Sequence, residues 1–285
     1  MYREFYGLSE LPFQLTPDPR FYFESESHRR ALSYLLYGLD KAEGFVVVTG
    51  EVGSGKTVLL DELLSRLEAT RYAVSRIETT QLDADDLLRL IALGFHIETQ
   101  GRDKASILSH LHDVLRDLQG TGVRPLIVVD EVQNLSLAGL EELRMLSNFR
   151  GEGRPVLQAL LLGQPQFRER LLAPDLEQLR QRIVASCALR GLEENETRGY
   201  IEHRLSTAGW IGDPAFATEV FPMLFRATGG VPRRINMLLE RLLLLGFLDE
   251  RHDIEQAMVQ QVVREMREEG LLLTMHVAGG ERTLG

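Results

Sequence analysis

The stretch Gly50-Glu51-Val52-Gly53-Ser54-Gly55-Lys56-Thr57 constrains this chain more than any other. It has the G-x-x-x-x-G-K-[ST] spacing of a phosphate-binding loop. An apolar run, Phe45-Val46-Val47-Val48, precedes it and has the character of a buried strand. The segment Val58-Leu59-Leu60-Asp61-Glu62-Leu63-Leu64 follows with helical apolar spacing. Strand, loop and helix in that order give the motif its physical context. Glycines let the backbone wrap an anion without an intervening Cβ. Loop N–H groups and the helix N-terminus then face the phosphates. Gly50 through Val58 therefore form the expected nucleotide cradle, with Lys56 reaching the β- and γ-phosphates and the Thr57 hydroxyl a ligand for Mg²⁺.

A second signal lies in Pro125-Leu126-Ile127-Val128-Val129-Asp130-Glu131. Four strongly apolar residues before two carboxylates fit a strand buried on both faces that ends at a sheet edge. Ligands of open α/β folds bind at that edge. Asp130 suits the Mg²⁺ shell, and Glu131 suits the base that polarises an attacking water. A further apolar run, Val156 to Leu162, ends in Gly163-Gln164-Pro165. Gln164 is expected at the same edge, either touching the γ-phosphate or the water or simply serving the turn. Arg180 and Arg182 precede Val184 to Leu189, the expected last strand. An arginine there is either solvated or protrudes into a neighbouring subunit's site.

Composition sets the outer limits. With 285 residues, 44% hydrophobic and 26% charged, the chain can hold one large domain or two smaller ones. Its net charge of −10 argues against a uniformly basic nucleic-acid-binding surface, though not against a local one. One cysteine, Cys187, excludes an internal disulfide and a cysteine-rich metal site. No run of about 18 uncharged apolar residues suggests a membrane span, and the N-terminus lacks signal-peptide character. A cytoplasmic protein is expected, touching the inner membrane only through partners.

Residues 1–44, rich in aromatics and prolines and ending in a helix from Ser27 to Leu39, are expected to belong to the nucleotide domain. Phe21 to Phe23 either pack on its surface or wall an adenine pocket. Residues 45–192 form the expected nucleotide core. From Glu193 the pattern turns to helices only, with spans at 194–208, 214–228, about 232–247 and 254–267 in a lid over 193–269. Residues 270–285 form a tail without a clear element. His110 and His112 point to different helix faces and are not read as a metal pair.

Together these features resemble an AAA+ ATPase, an α/β P-loop NTPase with an αβα sandwich on a parallel sheet and a C-terminal all-helical lid. Within that superfamily the chain resembles the general-secretion-pathway protein A (ExeA) type. The matching stretches are Pro12-Phe13-Gln14-Leu15-Thr16-Pro17-Asp18-Pro19, Gly163-Gln164-Pro165, Leu179-Arg180-Gln181-Arg182-Ile183 and Gly230-Val231-Pro232-Arg233-Arg234-Ile235-Asn236. ATPases of MSHA pilus biogenesis look similar. Met145-Leu146-Ser147-Asn148-Phe149 and Ile201-Glu202-His203-Arg204-Leu205 point towards the ATPase associated with exosortase and exopolysaccharide clusters.

The resemblance covers residues 1 to about 267. It implies ATP and Mg²⁺ as ligands, Gln164 as first sensor, Arg233 as second sensor on the lid, and Arg182, rivalled by Arg180, as a finger in trans. Gln at the first sensor departs from the Asn of many relatives. The resemblance also implies an ATP-dependent homo-oligomeric ring serving envelope secretion, or exopolysaccharide or pilus assembly. The larger secretion members carry a transmembrane segment and a peptidoglycan-binding region. Neither has a counterpart here, so wall binding is not carried over. Two other readings remain. One is a DNA-associated AAA+ ATPase of the transposition-regulator type, disfavoured by the acidic balance. The other is a nucleotide-sensing scaffold with little turnover.

Overall fold

A computed structural model describes residues 1–16, 18–67, 71–78 and 82–272. It divides into two compact units, residues 26–190 and residues 1–25 with 191 onward. The chain opens in the second of these with a one-turn helix, α1 (Tyr2–Phe5), and a 3-10 turn at Pro19–Phe21.

The nucleotide unit then runs α2 (Glu26–Asp40), β1 (Phe45–Gly50), α3 (Lys56–Arg66), β2 (Tyr72–Ile77), α4 (Ala84–Gly94), α5 (Lys104–Gly120) and β3 (Arg124–Val129). It continues through α6 (Leu137–Leu146), a short antiparallel pair β4 (Arg150–Gly151) and β5 (Arg154–Pro155), β6 (Gln158–Gly163), α7 (Pro165–Arg170), α8 (Glu177–Arg180) and β7 (Ile183–Leu189). Five of these strands form one parallel sheet in the order β2-β3-β6-β1-β7.

The period-2 geometry of a strand explains the sandwich. Val46, Val48, Leu126, Val128, Leu160 and Leu162 face α2 and α3, which supply Leu32, Leu35, Leu59 and Leu63. The alternate residues Phe45, Val47, Ile127, Val129 and Leu161 face the other side, against Leu88 and Ile91 of α4, Leu111 of α5 and Leu143 of α6. A strand sandwiched this way must be apolar throughout, and β1 is buried at all six positions. Asp83, Asp103 and Ser136 cap α4, α5 and α6 by accepting from Asp86, Ser106 and Gly139 N–H groups.

The helical unit is built from α9 (Glu194–Thr207), α10 (Val220–Thr228), α11 (Pro232–Leu248) and α12 (Gln256–Glu268). The expectation of helices only is corrected by a two-residue parallel pair, β8 (Ala215–Phe216) with β9 (Asp253–Ile254). Two short strands fall below the length at which alternation is visible in sequence.

A larger correction concerns the N-terminal arm. Residues 1–25 belong to the helical unit, and only 26–44 belong with the nucleotide core. Tyr2, Tyr6, Leu8 and Phe13 are buried among Leu239, Leu242, Leu243 and Ile254. Each buried side chain of this size contributes about 1.5–3 kcal/mol. Tyr2 Oη donates to Glu240 at 2.7 Å and Tyr6 Oη to the Arg251 carbonyl at 3.0 Å. Phe21 lies 4.8 Å beneath the Arg204 guanidinium, and Phe23 packs edge-on against Tyr200. These aromatics therefore pack on the helical unit rather than on the nucleotide domain's surface.

Leu272 is buried in the helical core, past the expected start of the tail at residue 270. The rest of that tail, residues 273–285, lies outside the described residues. No helix among the described residues is long and apolar enough to cross a membrane.

Candidate nucleotide site

Strand order brings the sequence signals together. The phosphate loop leaves β1, Asp130-Glu131 leaves β3, and Gln164 leaves β6, which lies between β1 and β3 and pairs with both. Segments far apart in the chain thus emerge side by side at the carboxyl edge of a parallel sheet.

The loop has the conformation an anion cradle needs. Gly53 and Gly55 adopt φ of 81° and 99°, angles that a side chain disfavours. A Cβ on Gly55 would also come within 2.5 Å of His28 Nε2, so this buried imidazole on α2 backs the loop. Gly55 is the N-cap of α3 and offers no side chain to its N–H groups. Ser54 Oγ is buried and has no hydrogen-bond partner. An uncapped helix start beside an orphaned hydroxyl is a cost that a bound phosphate offsets.

Lys56 is buried, and its ammonium donates to the Gly50 and Glu51 carbonyls at 2.9 and 3.1 Å. Burial lowers its pKa, and the fields of Glu131 and Asp130 counteract that. Burial raises the Asp130 carboxyl, opposed by a hydrogen bond from the Glu131 N–H at 2.8 Å and by the Lys56 and Arg76 charges. A half-buried carboxylate whose burial outweighs that compensation is one that a cation would stabilise. The Thr57 hydroxyl and the Asp130 carboxylate are oxygen donors of the kind Mg²⁺ takes.

Glu131 sits in the left-handed region with φ 50°, which turns its side chain out of the strand register. Gln164 Nε2 donates to its Oε2 at 3.0 Å, and Gln133 Nε2 donates to the same oxygen. Gln133 Oε1 accepts from the Gln164 N–H at 2.9 Å, which closes the triangle. Gly163 leaves room for this arrangement, since a Cβ there would come within 2.9 Å of Val132 Cγ1 and 3.1 Å of Gln133 Oε1 and would force them to shift. Burial pushes the Glu131 carboxyl up, but the two amide donors and Lys56 outweigh it and hold it below the usual carboxylate range. Glu131 is therefore ionised at neutral pH.

The sequence reading missed Gln133 and His28. Gln133 follows Glu131 by two residues in a 3-10 turn, Val132–Asn134, and only that turn aims it back at the carboxylate. Nothing in the sequence marks His28.

Within the nucleotide unit, Arg182 and Arg180 bond to groups outside this cluster. Arg182 donates to Ser147 Oγ at 2.8 Å and to Asn148 Oδ1. Arg180 donates to the Leu171 carbonyl at 2.9 Å. Both are engaged within their own unit. Arg233 is exposed in the first turn of α11, in the helical unit. His110 and His112 bind the separate carbonyls of Ser106 and Arg150.

The fold defines the class: the chain has the architecture of AAA+ P-loop proteins. A family model described as an AAA domain matches residues 39–171. Solved structures share the architecture. Cdc6p from Pyrobaculum aerophilum superposes with a TM-score of 0.68 at 16% identity, over 89% of this chain and 70% of that one. The RuvB Holliday junction branch migration motor of Thermotoga maritima gives 0.56 at 17% identity, over 86% and 70%. At such identities they establish the fold alone.

In sequence the chain is 37% identical over 277 residues to general secretion pathway protein A of Aeromonas hydrophila. That match spans 95% of this chain and half the length of the relative. Over nearly its whole length the chain is similar to the general-secretion-pathway protein A type.

Proposed function

We propose that the chain binds ATP with Mg²⁺ at Gly50–Val58 and hydrolyses it, and that turnover switches a cell-envelope machine for secretion, or for exopolysaccharide or pilus assembly. The observation that carries the reading is the Glu131 carboxylate, ionised and held by two amides at the strand end beside the phosphate loop.

In this reading Lys56 exchanges the Gly50 and Glu51 carbonyls for phosphate oxygens. The Ser54 hydroxyl and the α3 N-terminus take part in the same cradle. Glu131 orients the attacking water and accepts its proton, and Gln164 and Gln133 fix the carboxylate's position. Mg²⁺, when bound at Thr57 and Asp130, neutralises charge on the β- and γ-phosphates. Arg182 leaves Ser147 and Asn148 to act on a neighbouring copy's site, and Arg233 reports the nucleotide state from the lid. The partners are further copies of the chain, in a ring, and envelope export components. The 37% identity to a secretion pathway protein supports the envelope assignment.

Two variants test hydrolysis. Lys56→Ala is expected to lose nucleotide binding, and Glu131→Gln to bind ATP without turning it over. Normal phosphate release from both would end this reading. Sedimentation of Glu131→Gln with and without ATP tests assembly, where an unchanged monomer in ATP would exclude the ring. In Arg182→Ala, turnover that no longer rises with protein concentration is the signature of a finger acting in trans.

A further inference from the structure

The helical unit carries a cleft of about 440 Å³ between α10 and α12. Its floor is aliphatic: Met223 from α10, with Val259 and Val263 from α12. Val259 is fully buried, while Met223 and Val263 are only partly covered. Three arginines stand on the rim, Arg226 on one side and Arg264 and Arg267, one helical turn apart, on the other. The acid that shares the lining is Glu268.

What sets these arginines apart is that three without an ion pair line one cleft. Several other arginines of this unit are ion-paired at close range, Arg198 with Glu202 at 2.8 Å, Arg241 with Glu269 at 2.6 Å and Arg251 with Glu255 at 3.6 Å, while Arg233, which does not line the cleft, is unpaired among the described residues as well. Among the described residues, the side chains of Arg226, Arg264 and Arg267 form no ion pair or hydrogen bond. Acids outnumber bases 42 to 32 in this chain, so a groove lined by three arginines and one acid is a local reversal of its charge.

We propose that this cleft docks an acidic amphipathic helix of a partner protein. Its apolar stripe would lie on Met223 and Val263, and its carboxylates would meet Arg226, Arg264 and Arg267. A groove between two helices accepts a third in this way, through anchors one turn apart. Burial of the floor supplies affinity, and the arginine rim supplies orientation and rate of encounter. Nucleic acid is the poorer occupant. The floor offers no aromatic ring for a base to stack on, and three cations make a short track for a phosphate backbone. The site lies wholly within the helical unit and is independent of the nucleotide reading.

The test uses the full chain and a short, fluorescein-labelled synthetic helix of leucine and glutamate in amphipathic register. Its counterpart with lysine in place of glutamate serves as control. Anisotropy should show binding of the glutamate helix and not of the lysine helix, and binding should weaken as salt rises. The double variant R264E/R267E should bind at least about tenfold more weakly, since like charges then face each other. R226E should weaken binding in the same direction. R251E, away from the cleft, should bind as the parent does. Circular dichroism confirms that each variant is folded, and repetition in Lys56→Ala separates docking from nucleotide binding. Equal affinity in R264E/R267E, or no binding of the glutamate helix, overturns the proposal. So does the discovery that the same variants instead lose binding to duplex DNA or phosphatidylglycerol vesicles, or lose self-association.

Discussion

The two units each bury a cation, and they treat it differently. Lys56, 6% exposed, is held by two carbonyls of its own loop, five and six residues away. Arg204, 8% exposed, donates to the Pro12 carbonyl at 2.5 Å, the Gln14 carbonyl at 3.4 Å and Tyr200 Oη at 3.1 Å. It also lies over the rings of Phe21 and Tyr200. Lys56 has neighbours that a ligand can replace, next to an orphaned hydroxyl and two carboxylates. The partners of Arg204 are fixed backbone and aromatic faces, so it serves as a staple joining the arm to α9. A buried charge with local, exchangeable contacts marks a site, whereas one bonded to distant chain segments marks architecture.

Substitutions can break that comparison, and the largest effect belongs to the site. Glu131→Gln should slow hydrolysis by roughly 10²–10⁴ while the unfolding midpoint stays near that of the parent. A matching fall in stability would mean that Glu131 is structural. Arg204→Ala should show the reverse, a loss of about 2–3 kcal/mol in denaturant unfolding, from bonds to buried carbonyls and a cavity. If it instead lowers nucleotide affinity with stability unchanged, the staple is misassigned.

Gln164→Ala and Gln133→Ala come next. Removing a donor to the ionised form raises the Glu131 pKa, because burial remains. The acid limb of the pH–rate profile should therefore move to higher pH, so activity is lost earlier as pH falls. An unmoved acid limb in both variants would detach the two amides from the reaction. The smallest effect is expected from Ser54→Ala. Its hydroxyl makes no bond, so stability without nucleotide should be unchanged or slightly higher. A several-fold loss of nucleotide affinity, read by titration, would then assign that hydroxyl to the ligand.

The sheet was legible because each of its features occupies contiguous residues. Phe45–Val48 and Leu126–Val129 are continuously apolar because both faces of these strands are covered. The Gly-rich loop and the Asp130-Glu131 pair follow directly from those strands. Gln164 could be placed at the sheet edge, but its partner could not, since that depends on β6 lying between β1 and β3. Gln133 was invisible because its role needs Glu131 at φ 50° and a 3-10 turn after it.

What the sequence determined by itself was the class of nucleotide cradle, the parallel sheet that presents it and the acid pair at its edge. Hydrophobic period and glycine spacing are local and act before any long-range contact forms. The tertiary structure alone decided that residues 1–25 join the helical unit. Arg204 meets the Pro12 carbonyl across 192 residues and Tyr6 meets the Arg251 carbonyl across 245. Contacts at that separation carry no period in the sequence. They are chosen by which surfaces can bury an aromatic arm and satisfy a buried guanidinium at once.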